Sequence, residues 1–379
     1  MANTFKFGNG NWATKEGSVL AYNDENNNFK PLPFDFTRAS TATYVDSDGL
    51  IKTAKQGEAR IDFKDDSKGA LKLEPARTNY VTSSESITPF FTTDGTTLTQ
   101  NYDVSPTGEN NSVLLTQNTG SVNQSIYNFG LPTTNGDYSY SFFFRAGTST
   151  NVRLYVANAK SENFNPQTVT AGIVNGVNLN LLFEDYGNGW FRVSTTVTLS
   201  GASFNRFLIY PDRDDLGRNI EIFGAQYELG SYATSYIPTE GSAVTRLADG
   251  CSNENLNVDY SGDYTLYLEH ETLSLTEYNQ CQFRQETPIS YIFRIGNSIN
   301  IGTNLYTAAN TIGFNKFALS VTSIGSYKFY KNGVLLSSGS GLNANLETIK
   351  NDALGMSIKE IKLYNTELTD QELIALTQV

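Results

Sequence analysis

The chain has 379 residues, of which 39% are hydrophobic, 12% aromatic and 17% charged, and its net charge is −12. That length suits two domains and a smaller segment, and the acidic balance excludes a nucleic-acid partner, because a phosphate backbone is bound by clustered Lys and Arg. No stretch approaches the roughly 18 apolar residues of a membrane span, and residues 1–10 lack the basic and apolar regions of a secretory signal. We therefore expect synthesis in a cytoplasm and no membrane insertion.

The first 33 residues predict an arm rather than a domain. Three scattered aromatic residues, Phe5, Phe7 and Trp12, precede the polar run 23–28, which cannot bury enough apolar surface to order by itself. The aromatic side chains therefore need a partner surface. Two partners stay open at this point: the chain's own next domain, or a docking site on another protein.

Residues 34–63 contain short extended pieces, and from about residue 79 to residue 239 apolar and polar side chains alternate, as strands do. Clear examples are Tyr138–Arg145, Val152–Val156 and Ile220–Phe223. Strands of about six residues at intervals of about 8–12 indicate an antiparallel sandwich. Between them, Gly and Asn supply the positive φ angles that tight hairpin turns require.

Residues 248–379 predict a second sandwich that ends in one helix. Asn-Gly at 332–333, between two alternating runs, is a strong hairpin signal, and Ile358–Tyr364 is expected as the last strand. Thr369 and Glu372 form a capping box that should begin a two-turn helix. Its apolar face should consist of Leu373, Ile374 and Leu376. The predicted fold class is therefore all-β, with an arm, two antiparallel β-sandwich (jelly-roll) domains and one short C-terminal helix.

Long motifs in this sequence resemble those of structural proteins of tailed phages. The segments that carry the resemblance are Phe36–Val45, Asp48–Ile51, Ala59–Phe63, Leu71–Tyr80, Gly187–Arg192, Ile222–Thr239 and Ala243–Arg246. Together they are similar to the carbohydrate-binding-module-like β-sandwiches of phage tail and fibre proteins, over residues 34–247. Residues 248–379 resemble a concanavalin A/laminin G-type jelly roll, through the segments Tyr264–Glu269, Tyr327–Val334 and Ile358–Leu373.

The resemblance implies a non-catalytic virion protein, a homotrimeric fibre or appendage subunit made in the host cytoplasm. Its N-terminal portion, with Phe5, Phe7 and Trp12, would attach it to other capsid or tail proteins. The sandwiches would bind host surface glycans, or would pack as a structural interface without any glycan. The asparagine-rich, weakly charged composition is similar to that of head fibres and tail appendages of crAss-like phages of Bacteroidetes, so head and tail locations both stay open.

The single histidine, His270, argues against an enzyme. A Ser-His-Asp or Cys-His site, or a His-based zinc site, would depend on this residue, which lies in an alternating strand and is expected to face outwards. The alternative is glycan hydrolysis by Glu269 and Glu271, which alternate onto one face of the strand. However, that strand lacks flanking tryptophans for sugar stacking, because the chain contains only Trp12 and Trp190.

Four aromatic residues are candidates for glycan contact, because an aromatic face offers an apolar platform to a sugar ring. They are Trp190, Tyr210, Tyr155 and Tyr186. For Trp190 the favoured interpretation is nevertheless a core position, since the strand continues through Phe191, Arg192 and Val193. The sequence does not indicate which face of the sandwich would bind.

The densest acidic loop of the chain contains Asp212, Asp214 and Asp215. Oxygen ligands on a flexible loop suit calcium, and the favoured alternative is a solvated turn in which Arg213 partly neutralises the acids. No organic cofactor is predicted. The two cysteines, Cys251 and Cys281, could pair across a sheet, although a reducing cytoplasm favours free buried thiols.

Overall fold

The computed structural model describes residues 5–23, 28–87, 95–118, 124–157, 160–172, 179–201, 205–254, 256, 262–275, 280–286, 288–303, 305–342, 345–352 and 355–379. Within them the chain forms antiparallel sheets and a single helix near its C-terminal end. The predicted all-β fold class is confirmed. No helix in these ranges is both long and apolar enough to cross a membrane.

The strands begin close to the N-terminus and continue to the last helix. Those before residue 77 are β1 (Phe5–Gly8), β2 (Ala13–Lys15), β3 (Ser18–Asn23), β4 (Asn28–Thr37), β5 (Ala42–Val45), β6 (Ile51–Ala54), β7 (Ile61–Asp62) and β8 (Ala70–Leu73). Those from 77 to 246 are β9 (Arg77–Asn79), β10 (Thr96–Thr99), β11 (Val113–Gln117), β12 (Ile126–Phe129), β13 (Gly136–Ala146), β14 (Val152–Val156), β15 (Lys160–Asn165), β16 (Thr170–Gly172), β17 (Leu182–Asp185), β18 (Trp190–Leu199), β19 (Arg206–Tyr210), β20 (Asn219–Leu229) and β21 (Val244–Arg246). The remaining elements are β22 (Gly250–Asn253), β23 (Tyr264–Thr272), β24 (Gln280–Gln285), β25 (Ser290–Ile295), β26 (Ser298–Ile301), β27 (Tyr306–Ala309), β28 (Gly313–Val321), β29 (Tyr327–Lys331), β30 (Val334–Gly339), β31 (Thr348–Asp352), β32 (Met356–Tyr364) and helix α1 (Asp370–Thr377).

Two compact units are present, each assembled from separate stretches of the chain. The first contains the described residues of 1–47, 53–76 and 247–379, and the second contains those of 48–52 and 77–246. These units correct the predicted boundaries, which were 1–33, 34–247 and 248–379. The residues before 77 were assigned to an arm and to the first sandwich, whereas most of them belong with the C-terminal strands.

The predicted arm is wrong because its strands are built into the first unit. Strand β1 pairs with β32, β3 with β4, and β4 with β22, so each finds its backbone hydrogen bonds inside this sheet. Phe7 is fully buried in the core. The Trp12 ring centroid lies 5.5 Å from that of Phe7, and Trp12 Nε1 donates to the Lys68 carbonyl at 2.9 Å. Both side chains pack within the first unit instead of being free to dock elsewhere, and the side chain of Phe5 lies outside the described residues.

Two runs of strands contribute to the core of the first unit. One is β27-β26-β25-β24-β31-β22-β4-β3, and the other is β30-β29-β28-β23-β32, in which β32 also pairs with β1 and β8. Apolar side chains from both runs, among them Phe34, Phe283, Phe317 and Ile361, share one core. Removing this apolar surface from water is the main favourable contribution to folding.

Helix α1 begins where the capping box predicted it. The Thr369 hydroxyl accepts from the backbone N–H of Glu372, and the Glu372 carboxylate accepts from that of Thr369. Leu373 is buried and Leu376 packs beside it, which confirms two of the three expected apolar positions. Ile374 is 43% exposed, so the apolar face of this short helix is narrower than expected.

The second unit is a sandwich of two antiparallel sheets. The six-stranded sheet has the order β10-β11-β20-β13-β18-β17, and the five-stranded sheet has the order β12-β19-β14-β15-β16. Side chains of both sheets share one core, in which the Phe142 and Phe207 ring centroids lie 6.2 Å apart. Because successive side chains of a strand point to opposite faces, the other face of the five-stranded sheet is directed away from this core.

A buried ion-pair network occupies the first unit. Arg60 Nη1 donates to Glu74 Oε2 at 2.7 Å and Arg60 Nη2 donates to Asp249, while Arg38 Nη1 donates to the other Asp249 oxygen at 3.0 Å. All four side chains are almost fully buried. Arg38, Arg60 and Glu74 belong to the phage-like motifs, so these motif residues have a structural role.

A second buried network orders the loop after β20. Glu228 Oε1 accepts from Gln226 Nε2 at 2.8 Å and from the Thr234 N–H at 2.7 Å. Arg246 Nη1 donates to Thr234 Oγ1 at 3.2 Å and to Ser235 Oγ at 2.9 Å. These residues also belong to the phage-like motifs. The motifs therefore identify the framework of the units rather than a binding surface.

The two cysteines lie on either side of one strand. Cys251 of β22 and Cys281 of β24 are both paired with Asn351 of β31. Two strand spacings separate their Cα atoms by roughly 10 Å, whereas a disulfide requires less than about 7 Å. Both are therefore free buried thiols, as the cytoplasmic interpretation favoured.

We expect both thiols to be unreactive in the native protein and fully reactive after unfolding. Burial raises the pKa of the Cys251 and Cys281 thiols well above its ordinary value, so the nucleophilic thiolate is scarce and inaccessible. Titration with a chromogenic disulfide reagent, with and without denaturant and without reductant, measures this. Two thiols per chain are expected to react with the reagent, and only in denaturant. If no thiol reacts in denaturant, the two cysteines form a disulfide.

Candidate functional site

The outward face of the five-stranded sheet is built by strand alternation. In β14, Val152, Leu154 and Val156 point into the core, so Arg153 and Tyr155 point outwards and are half-buried. The same alternation directs Tyr127 of β12, and Arg206, Leu208 and Tyr210 of β19, to this side. We call this surface the tyrosine face. It consists of Tyr127, Arg153, Tyr155, Asn163, Arg206, Leu208 and Tyr210.

Strand register places these side chains in two rows. Leu208 of β19 is paired with Tyr127 on one side and with Tyr155 on the other, so an apolar side chain lies between two tyrosines. In the next row, Arg153 is paired with Tyr210 and with Asn163. Directly paired residues on one face have Cβ atoms about 5 Å apart, so each row is a continuous band across three strands.

Guanidinium groups lie against the tyrosine rings. The Arg206 guanidinium carbon is 4.9 Å from the centroid of the Tyr155 ring. Tyr210 is approached by two arginines, with Arg153 at 5.9 Å and Arg213 at 5.0 Å from its centroid. These are cation–π distances, so the tyrosines hold three positive charges at this face.

A chain of side-chain hydrogen bonds fixes the position of Arg153. Its Nε donates to Asn163 Oδ1 at 2.8 Å. Asn163 Nδ2 in turn donates to Asn151 Oδ1, and Asn151 Nδ2 donates to Asp214 Oδ2 at 2.7 Å. Burial and the nearby charge of Arg213 lower the pKa of the Arg153 guanidinium, although it remains far above neutrality.

The acidic loop is organised by hydrogen bonds. Asp212 is fully buried, and its Oδ2 accepts from the N–H groups of Thr150 at 2.8 Å and Asn151 at 3.3 Å. Its Oδ1 accepts from those of Asp214 at 2.9 Å and Asp215 at 3.0 Å. A cation would have to displace these donors, and in the described ranges no group of three or more His, Cys, Asp or Glu is placed to hold one. Calcium binding by this loop stays a prediction.

Trp190 is a core residue, so its assignment as a glycan contact is wrong. Its relative exposure is 2%, and its Nε1 donates to the Val104 carbonyl at 3.0 Å. The Arg145 guanidinium covers its ring at 5.1 Å. The favoured sequence interpretation, a core position, is confirmed.

The structure brings together two of the four aromatic candidates. Tyr155 and Tyr210 lie on the tyrosine face, whereas Tyr186 follows β17 of the six-stranded sheet, with its ring edge-on to Phe143 at 4.8 Å. The residues predicted from the sequence did not include Tyr127, Arg153, Arg206 and Asn163. Arg153 and Tyr155 are two residues apart on one strand, so the sequence alone could have indicated that their side chains share a face. Arg206 likewise shares its face with Tyr210 of the same strand, whereas Tyr127 and Asn163 depend on which strands are neighbours.

His270 points into the core, so the expectation that it faces outwards is wrong. It shares its parity along β23 with Leu266 and Leu268, and its relative exposure is 0%. Its ring stacks on Phe317 at 5.5 Å, and its Nε2 shares a hydrogen bond of 3.0 Å with Thr272 Oγ1. Burial, with a smaller contribution from Lys331, lowers the pKa of the imidazole to about 3.

The two glutamates beside His270 lie on the opposite face of β23. Glu269 Oε2 accepts from the Tyr267 hydroxyl at 3.0 Å. Burial and the charge of Asp65 raise the pKa of the Glu271 carboxyl. A raised pKa is one requirement of a general acid, but glycan hydrolysis by this pair stays a prediction.

Comparison with known proteins gives distant structural similarity. No protein-family model and no curated protein matches this sequence. The chain is similar to the CBM40 of the Ruminococcus gnavus IT-sialidase bound to α2,3-sialyllactose, with 17% identity over 31% of this chain and 83% of that one, at a TM-score of 0.25. It is also similar to domain 4 of the Geobacillus stearothermophilus arabinanase AbnA in complex with arabinotriose (17% identity, 40% and 84% covered, TM-score 0.29) and to the CBM22 tandem of Paenibacillus barcinonensis Xyn10C (10%, 78% and 99%, TM-score 0.28). TM-scores this low do not establish a common fold.

Proposed function

We propose that this protein binds glycans without catalysing their cleavage, and that the tyrosine face is the binding surface. The observation that carries the proposal is the row in which Tyr127 and Tyr155 flank Leu208 across three neighbouring strands. Tyrosine combines an apolar ring with a polar hydroxyl, which suits a sugar with apolar C–H faces and a rim of hydroxyl groups. Arg153 in the next row supplies hydrogen-bonding groups for those hydroxyls.

The size of the row favours an oligosaccharide. Tyr127 and Tyr155 are two strand spacings apart, which is roughly 10 Å. A ligand that contacts both rings must therefore be larger than one sugar ring. The rings stand on regular strands, so the surface is held by the sheet rather than by loops, which favours a preformed site.

Replacing Tyr155 by alanine is expected to weaken glycan binding by about tenfold or more, the equivalent of about 1.4 kcal/mol. The measurement is binding of the purified chain to an immobilised panel of neutral, uronate-, sialate- and sulfate-bearing oligosaccharides, followed by titration of the strongest ligand. Tyr102→Ala is the matched control, because Tyr102 is 48% exposed in the same unit and lies beside β11 of the six-stranded sheet, where its N–H donates to the Ser112 carbonyl at 2.9 Å. Equal losses in both variants, or no bound member of the panel, would contradict the proposal.

We further propose that the protein is a fibre or appendage subunit of a bacteriophage virion, assembled as a homotrimer. The support is the set of phage-like motifs between residues 36 and 246, whose length makes chance recurrence improbable. Phe7 and Trp12 pack inside the first unit, so attachment to capsid or tail proteins would use other residues. Cryo-electron microscopy of intact particles tests this. Three-fold density that fits both units is expected, and absence of the chain from particles would contradict it.

A further inference from the structure

Positive charge is concentrated on the tyrosine face of a strongly acidic chain. The net charge of the chain is −12, yet Arg153, Arg206 and Arg213 all lie against the rings of Tyr155 and Tyr210. Binding of a neutral sugar does not require positive charge, because amide and hydroxyl side chains can form hydrogen bonds with the sugar hydroxyls. Clustered arginines favour an anionic ligand.

Two of these charges share one ring. Arg153 and Arg213 both approach Tyr210, at 5.9 Å and 5.0 Å. Burial and the charge of Arg213 lower the pKa of Arg153, and Tyr210 and Asp214 only partly offset them. The Asp214 carboxylate is engaged by Asn151, and the Asp212 carboxylate by backbone N–H groups. An anion bound between the two guanidinium groups would relieve their repulsion.

Arg153 is positioned to provide the direct contact. Among the described residues its side-chain hydrogen bond is made by Nε, to Asn163 Oδ1, and its two Nη atoms remain for a ligand. The Asn163–Asn151–Asp214 chain holds the guanidinium in place. A planar guanidinium fork matches the two oxygens of a carboxylate in a bidentate pair.

We infer that the tyrosine face binds acidic glycans, with Arg153 and Arg213 holding a carboxylate of a uronic- or sialic-acid-type sugar while the sugar ring lies along Tyr127, Leu208 and Tyr155. This inference rests on the proposed function, because it names the ligand class of the same site. A carboxylate is favoured over a neutral sugar by the charge. A sulfate can also accept two hydrogen bonds from a guanidinium, and binding to matched carboxylate and sulfate ligands distinguishes the two anions.

The test uses matched members of the glycan panel, namely a neutral oligosaccharide, the same one with a carboxylate, and the same one with a sulfate. The full chain should bind the carboxylate member at least about tenfold more tightly than the neutral one. Arg153→Gln should remove that preference while keeping residual binding to the neutral member. Arg218→Gln is the matched control, because it removes the same charge from an arginine that is paired with Asp215.

The outcomes separate the inference from the proposed function. Equal binding of neutral and carboxylate members, or a loss in Arg153→Gln that is no larger than in Arg218→Gln, would overturn the acidic ligand and leave glycan binding intact. Preference for the sulfate member would overturn the carboxylate as the group that is bound. Binding of no member at all would overturn the proposed function itself. Thermal unfolding of each variant, monitored by circular dichroism, shows that a loss of binding does not come from a loss of folding.

Discussion

Replacing Arg60 by methionine is expected to lower the free energy of unfolding of the first unit by about 3–5 kcal/mol, the usual cost of removing one partner from a buried ion pair. Arg60 Nη1 donates to Glu74 Oε2 at 2.7 Å and to the Thr43 carbonyl at 2.9 Å, and Nη2 donates to Asp249. Burial alone would lower the pKa of the Arg60 guanidinium, but the charges of Asp249 and Glu74 outweigh it and raise that pKa. Without Arg60, the buried Glu74 carboxylate loses this ion pair. Asp249 then keeps one of its two arginine partners, Arg38.

Chemical denaturation, monitored by circular dichroism, measures this loss. Arg294→Met is the matched control, because it removes the same charge from a half-buried arginine of the same unit that rests on the Tyr291 ring at 4.9 Å. The control should cost less than about 1 kcal/mol, as half-exposed charges do. If both variants lose the same stability, the network contributes nothing beyond an ordinary arginine, and the structural role assigned to the motif residues would be wrong.

Local features of the sequence predicted the strands well. Alternation identified Val152–Val156, which is β14, and placed the last strand within β32. The Asn332-Gly333 pair joins β29 to β30 with φ of 49° and 80°, the left-handed conformation for which these residues were identified as a turn. Such predictions succeed because the period of two and the turn chemistry are properties of a few consecutive residues.

Local patterns could not predict which strands belong to each unit. Strand β1 pairs with β32 through Phe5 and Leu363, residues at opposite ends of the chain, and no local pattern reports that pairing. The polar run that follows the first strands therefore favoured an arm. Motif continuity likewise joined residues 34–76 to the sandwich that follows, although β4 and β8 pair with β22 and β32 of the other unit.

The candidate site was predicted only in part, for a related reason. Tyr155 and Tyr210 were recognised by residue type, but Tyr127 and Arg153 join them through the register of β12, β19 and β14. Trp190 was considered because of its size, which is also why it fills the core. The chemistry of a residue is evident from a single sequence, whereas the composition of a binding face also depends on the order of the strands.

The protein should lose stability on acidification partly through one buried histidine. Burial and Lys331 lower the pKa of His270 to about 3 in the native state, against about 6.5 in the unfolded chain. Between these values only the unfolded state binds the proton. Stability from this residue is therefore complete above about pH 6.5 and declines as the pH falls towards 3. At 1.36 kcal/mol per pH unit, about 3 kcal/mol is lost between about pH 7 and pH 4.5.

Because the chain has one histidine, its one imidazole Cε1–H proton resonance belongs to His270. We expect that resonance to stay unshifted between about pH 8 and pH 5 in the native protein and to titrate near 6.5 after unfolding. His270→Phe keeps a ring against Phe317 and removes the titration. As the pH falls from about 7 to about 4.5, the free energy of unfolding of this variant should therefore decrease by about 3 kcal/mol less than that of the unsubstituted chain. A native resonance that titrates near 6.5 would mean that the ring reaches solvent, and the position of β23 in the core would then have to be revised.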